Sequence, residues 1–447
     1  MYNIPEKLRK PLLILAILFL VLLALNLPTL WSKISNRFDT FRTQVTYLID
    51  PPDQAVFIPA QAGTQIANQI TSTPKATQLP GNASITPAKT ATVLPATTPL
   101  PTSAILSGVV YVDQHNRWNY CGPANLTMAL NFWGWEGNRD DVAKIVKPGE
   151  NDPKLDFIQR GKADKNVMPY EMVDFVNNET DLNAFQRYGG SADLLKKFLS
   201  NGIPVVIEKG YYERDYTGKT TWMGHYLFVT GYDDSQGVFI VQDAYLKPGQ
   251  NVQVKYADFD EGWRSFNYLF MLVYPNDKQS IVQDLAGELI DLDTSARVSL
   301  ARAQNDVVGA TGMDAFFAWF NIGTSHVQLA EYNDAATAFD KAFQIYALLD
   351  ESDVQRPYRM MWYQTAPYKA YYYTQRYQDV IVLANTTLNE TLDKPTLEES
   401  LYWRAMAEIA IGDRYAGVSD LQKAVYYNPN MTIAINQLLE LNASTVP

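Results

Sequence analysis

The chain has 447 residues, too many for one ordinary core, so two or three folded units are expected. Hydrophobic residues at 47% indicate a globular protein, while a net charge of −11 argues against a nucleic-acid partner, which would need a basic face. A single cysteine excludes an intrachain disulfide framework and a thiolate-rich zinc site, and no metal or cofactor is expected.

The first element is apolar. "PLLILAILFLVLLALNLPTLW", 11–31, carries no charge over a length sufficient to cross a hydrocarbon core of ~30 Å. No small-residue cleavage site follows it, so it reads as an uncleaved membrane anchor rather than a removed signal. Lys7, Arg9 and Lys10 precede it, and Lys33, Arg37 and Arg42 follow, so charge alone leaves its orientation open. The segment after the anchor, 32–106, includes "TPKATQLPGNASITPAKTATVLPATTPLPT". This Thr/Pro/Ala stretch lacks apolar periodicity and reads as a tether. Such a stalk after one span places 1–10 in the cytoplasm and the rest outside it, as a single-pass cell-membrane protein.

Residues 107–275 read as one α+β unit. A helix follows the cysteine, with Leu126, Ala129, Leu130 and Trp133 on one face and Asn119 as the expected cap. A shorter helical stretch spans Tyr170 to Val176. "SADLLKKFLSNGIPVVIE" reads as a helix stopped by Gly202, then a buried strand over 203–207. "HYLFVTGYDDSQGVFIVQDAY" reads as a hairpin, and "NYLFMLVYP" as a further strand.

Cys121 lies in the first turn of its helix, where the dipole and unsatisfied N–H groups favour a thiolate. A buried structural role is the commoner fate of a lone cysteine. A nucleophilic thiol needs an imidazole, and there are three histidines to choose from. His326 falls in a later helical region as a packing or surface residue. His115 sits in a loop, and His225 opens the hairpin. If the strands pair about Asp234, a five-residue loop over 232–236 sets His225 opposite Asp243, on one face of the sheet. Asp243 read alone would be a strand-end turn residue. The Cys121 N–H and the Gln114 amide are candidate oxyanion donors, though a loop glutamine alone carries no meaning.

Gln114, then Cys121-Gly-Pro-Ala opening a helix, then Gly224-His225 with "VTGYDD" and "VFIVQDAY" after it, resembles the papain-like cysteine peptidases of the double-glycine leader-peptidase (bacteriocin-processing) group. The resemblance covers about 107–275. It implies Cys121 as nucleophile, His225 as base and acid, Asp243 as orienting group and Gln114 as oxyanion donor, acting on a peptide or protein. Two features depart from that group. Ala244 follows Asp243 where proline is common, and no transporter ATPase motif accompanies the unit.

A helical connector is expected over 276–312, with a leading helical segment at 282–308. Residues 313–441 are similar to tetratricopeptide repeats. Trp319, Ile322, Gly323, Tyr332, Ala335, Phe339 and Ala342 hold the spacing in one copy. Ala405, Gly412, Leu421, Ala424 and Pro429 hold it in another, and a poorer copy between them carries Tyr377. Such arrays present a concave face to a protein partner. Tyr363, Tyr368, Tyr371, Tyr372 and Tyr373 either line that face or form core and rim. Two functions from different classes follow: a membrane-anchored extracytoplasmic cysteine peptidase, or an inactive peptidase-like scaffold at the cell surface. The residues do not separate hydrolysis from acyl transfer.

Overall fold

The computed structural model describes residues 56–60, 99–117, 119–148, 165–214, 220–349, 356–389 and 397–446. The expected anchor at 11–31 and most of the Thr/Pro-rich stretch lie outside them. Among the described residues no helix is long and apolar enough to cross a membrane.

The first unit is built on a seven-stranded antiparallel sheet: β1 (Ser103–Ile105), β2 (Asn183–Arg187), β3 (Val205–Arg214), β4 (Thr220–Asp233), β5 (Val238–Gln242), β6 (Val252–Lys255) and β7 (Phe270–Tyr274). The path is β2-β7-β3-β4-β5-β6, and β1 pairs with the far end of β4. Alternation along β4 serves two cores. Tyr226 and Phe228 go beneath α1 (Cys121–Phe132), α2 (Arg139–Val146) and α3 (Pro169–Glu179). Leu227 and Val229 join Leu195 and Phe198 of α4 (Ala192–Ser200), with Phe259 and Trp263 of α5 (Tyr256–Arg264). Helix α1 is mostly apolar, and Gly122 to Leu130 are buried on every side, as in a helix inside a core.

Several expectations shift in register. Asn119 does not cap α1: it takes φ +43°, a left-handed turn that asparagine tolerates, so the cap falls to Tyr120, which makes no side-chain cap bond. Trp133 ends the helix instead of lying on its face, and its indole donates to Val273 O. The strand expected at 203–207 starts two residues later and runs on to Arg214, in a long hairpin with β4.

The β4–β5 pairing also differs. Asp233 pairs with Val238, so the loop has four residues rather than five. An even loop alone would send His225 and Asp243 to opposite faces. A bulge between Val229 and Gly231 adds one residue to β4, after which Val229 pairs with Val241 and Phe228 with Gln242. The bulge restores the shared face.

The chain then turns helical, with α6 (Gln279–Ala286), α7 (Leu292–Asp306), α8 (Gly312–Gln328) and α9 (Tyr332–Leu348). The expected leading segment is thus two helices, interrupted at Gly287 with φ +55°. A short turn α10 (Met360–Tyr363) leads to α11 (Ala366–Tyr373), α12 (Tyr377–Asn389), α13 (Glu398–Ala410), α14 (Arg414–Tyr427) and α15 (Thr432–Glu440). Helices α8 and α9 pack closely where Gly323 meets the Phe339 ring, which a Cβ would approach to 2.6 Å. Tyr368 and Tyr371 are core residues with satisfied hydroxyls, on Ser400 and Asp340. Tyr373 is half exposed.

Two features tie the units together. Lys165, buried in the first unit, pairs with Glu171 at 2.6 Å and with Glu398 of α13 at 3.1 Å. Within the supposed tether, 56–60 docks on the helices. Phe57 is buried edge-on to Phe343 at 5.0 Å, and the Ala60 N–H donates to Asp379 at 2.9 Å.

Candidate active site

The edge of β4 beyond Phe228 has no partner from β5, which ends at Gln242. The first turn of α1 takes that edge. Asn125 Nδ2 donates to Cys121 O at 2.8 Å and to Tyr226 O at 3.0 Å, which fixes the helix start against the strand. The Tyr226 N–H and the side chain of His225, the preceding residue, both lie near enough to the Cys121 sulfur to favour its thiolate. Behind it, His225 Nε2 lies 2.9 Å from Asp243 Oδ1, leaving Nδ1 for the thiol.

Asp243 has two tasks. The same Oδ1 accepts from the N–H groups of Tyr245 (2.9 Å) and Leu246 (3.3 Å), so it closes a turn while holding the imidazole. Its backbone is fixed as well: the N–H donates to Gly249 O at 2.8 Å, and Tyr111 Oη donates to its carbonyl at 2.9 Å. A side chain at residue 249 would collide with that carbonyl, at 1.9 Å from a Cβ, so glycine is required there.

Gln114 comes from the loop before α1, stapled to the same turn. Its N–H donates to Ala244 O at 2.9 Å, and Arg139 of α2 holds the loop through Asp113 at 2.8 Å. Gln114, Cys121 and His225 line one cavity of about 50 Å³, where Gln114 Oε1 is buried without a partner. His115 does not face the thiol; its Nε2 lies 2.8 Å from Tyr245 O. His326 is in α8, 2.7 Å from Glu331.

The electrostatics favour an ion pair. Burial pushes the Cys121 thiol up. The hydrogen bond and charge of His225, the Tyr226 N–H and the Lys147 ammonium outweigh that and leave it lowered. Burial pushes His225 down, but the Asp243 charge and hydrogen bond and the thiol raise it to about 10. Asp243 is raised by burial and lowered more by His225 and the two turn N–H groups. A thiolate beside an imidazolium attacks carbonyl carbon and already holds the proton for a leaving amine.

The Peptidase_C39 like family matches this chain over residues 106–271. The match supports a papain-like cysteine peptidase region, covering well under half of the chain. Two solved structures are similar. A chain described as a C39-like peptidase from Bacillus anthracis is 18% identical with a TM-score of 0.30, over 39% of this chain and 98% of that one. Xylellain, a cysteine protease from Xylella fastidiosa, is 15% identical with a TM-score of 0.27, over 40% of this chain and 87% of that one. None of the curated proteins matches.

Sequence reasoning missed several groups in this papain-like region. Lys147 is buried, with its ammonium 3.2 Å from Asn119 O and 5.0 Å above the Tyr120 ring. Glu208 lines the cavity and is buried; a charge closing the apolar run "PVVIE" was the signal available. Tyr363 reaches the same cavity from α10, across the unit boundary, and no local pattern announces it. Asn166 Nδ2 donates to Trp362 O at 2.8 Å and holds that turn in place.

Proposed function

We propose that the chain is a cysteine peptidase with Cys121 as nucleophile, His225 as acid and base, Asp243 as orienting group and Gln114 as oxyanion donor. The observation that carries the reading is His225, held by Asp243 at 2.9 Å from Nε2 and lining one cavity with Cys121 and Gln114. The thiolate adds to the carbonyl carbon of a peptide bond. The oxyanion takes hydrogen bonds from the Cys121 N–H and the Gln114 amide. His225 gives its proton to the departing amine as the C–N bond breaks, leaving a thioester. Water then loses a proton to His225 and adds to the thioester, and the acid departs as the thiolate returns.

The wider reading is a membrane-anchored enzyme with residues after 31 outside the cytoplasm and helices 313–441 as tetratricopeptide-like repeats for a protein partner. Its support is the uncharged run at 11–31, the Thr/Pro-rich stalk and the close-packed helix pairs. The docked 56–60 segment occupies part of the helical surface, so a partner binds elsewhere or displaces it.

The inactive-scaffold reading has one observation in its favour: 50 Å³ beside the thiol holds a water or two and no peptide residue. Two experiments decide. A quenched-fluorescent peptide library incubated with the purified chain should be cleaved, and Cys121→Ser should abolish cleavage; activity surviving in Cys121→Ser removes the mechanism. Protease added to intact cells should release the catalytic unit, and release only after lysis reverses the orientation.

A further inference from the structure

A second cavity of about 320 Å³ opens where the papain-like region meets the helices, within the size range of roughly 300–1,000 Å³ usual for ligand sites. It shares two walls with the cavity at Cys121: Glu208 of β3 and Tyr363 of α10. Whatever extends past the thiol on that side enters it.

Among its tyrosine, threonine and glutamine side chains it holds two carboxyls and an orphaned amide oxygen. The Glu208 carboxyl is buried, near the Tyr226 phenol, whose O–H donates to Val167 O at 2.9 Å. Gln186 Oε1 on β2 is buried with no hydrogen-bond partner. Glu399 closes the helical side, accepting from Tyr170 Oη at 2.7 Å and from Thr365 Oγ1. Tyr188 lines the same chamber, near enough to both carboxyls to feel them. Lys369, the one cation of the lining, is exposed at the rim. An orphaned acceptor and two carboxyls call for a donor-rich cation, and guanidinium or ammonium supplies one.

We propose that this inter-unit chamber is a specificity subsite that receives one lysine or arginine side chain of the peptide held at Cys121. The inference rests on the peptidase reading. The cation docks between Glu208 and Gln186 Oε1, with Glu399 beyond. Burial holds Glu208 well above the usual carboxylate range, with the neighbouring thiol adding to that, which favours its acid form until a cation arrives. An incoming cation ionises it: the Glu208 O–H bond breaks, the proton goes to solvent, and the carboxylate pairs with the substrate. The helices are then part of the substrate site, because Glu399 and Tyr363 belong to them.

The test uses the full chain carrying Cys121→Ala and hexapeptide pools with one position fixed as arginine, lysine, citrulline or norleucine. Calorimetry in buffers of different ionisation enthalpy should show the arginine pool binding at least tenfold tighter than citrulline at one position. Proton release should accompany that binding. Glu208→Gln should bind without proton release and lose the discrimination. Gln186→Leu and Glu399→Gln, each on a different wall, should each weaken the arginine preference severalfold, which guards against a misfolded Glu208→Gln. Equal binding of arginine and citrulline pools at every position, no binding at all, or full discrimination in all three variants overturns the proposal. Wild-type cleavage of the same pools separates the two readings. Cleavage without a basic preference removes the subsite and leaves the peptidase; basic-selective binding without cleavage does the reverse.

Discussion

At the scale of single residues, the candidate site gathers groups whose roles depend on neighbours the sequence does not put beside them. Asp243 was open to two descriptions, a turn residue or a partner for His225, and its carboxylate fills both positions with one oxygen. Gln114 makes the sharpest prediction. If its amide donates to the oxyanion, Gln114→Ala should lower kcat by about 10²–10³ with little change in KM. A loss under threefold in steady-state cleavage would remove it from the mechanism. Asp243→Ala should cost less than His225→Ala, because it orients a ring that remains. The pairing of His225 with Asp243 was legible because both flank one hairpin. Lys147, Glu208 and Tyr363 were not, since each approaches Cys121 from an element remote in sequence. Asn119 misled for a different reason: its side chain suits a cap, while its backbone is used for a left-handed turn.

At the scale of elements, the hairpin shows how a wrong register can give the right neighbour. The loop is even, and the parity lost there returns at the bulge beside Thr230. Deleting Thr230 should therefore rotate His225 away from Asp243. The strand content by circular dichroism should persist, while the Cys121–His225 ion pair and all cleavage disappear. Retained activity in the deletion would mean that the bulge does not set the geometry. Bulges carry no periodic signal, so the sequence offered the two strands without the irregularity between them. Helix α1 was easier to read: a Gly-Pro at its head and apolar residues behind it left little choice but a buried helix. Its docking on the open edge of β4 was not legible, because it depends on where β5 stops.

At the scale of the molecule, the helices are a wall of the cleft rather than a separate arm. The repeat-like spacings pointed to stacked helix pairs, but they carry no information about the papain-like region those pairs lie against. Lys165 locks the junction. Burial pushes its ammonium down, and Glu171 and Glu398 outweigh that and leave it raised. Lys165→Met would leave buried Glu398 and half-buried Glu171 without their cation and should cost roughly 3–5 kcal/mol by denaturant titration; a loss below about 1 kcal/mol would contradict the lock. The same cluster makes stability depend on pH. Burial, opposed by Lys165 and helped by Glu171, pushes Glu398 up to about 7 from an ordinary 4.5. A raised carboxyl stabilises fully below its unfolded value and loses that contribution as pH climbs through the folded one. Glu398→Gln should accordingly flatten the fall in Tm between about pH 4.5 and 7. An unchanged slope would assign the pH dependence to other groups.

The central claim is that Cys121 is held as a thiolate by His225. With one cysteine in the chain, every iodoacetamide label incorporated reports on it. Unactivated thiols titrate near ~8.5, and activated ones fall to roughly 3.5–7.5. The lowered thiol and an imidazole raised to about 10 predict an alkylation profile displaced well below that of a free thiol, with measurable labelling already at pH 6. His225→Ala should move the profile to or above the free-thiol value, since burial then acts on the sulfur with less to oppose it. If wild type and His225→Ala alkylate with the same pH profile, centred near that of a free thiol, the ion pair does not exist and the peptidase account is wrong.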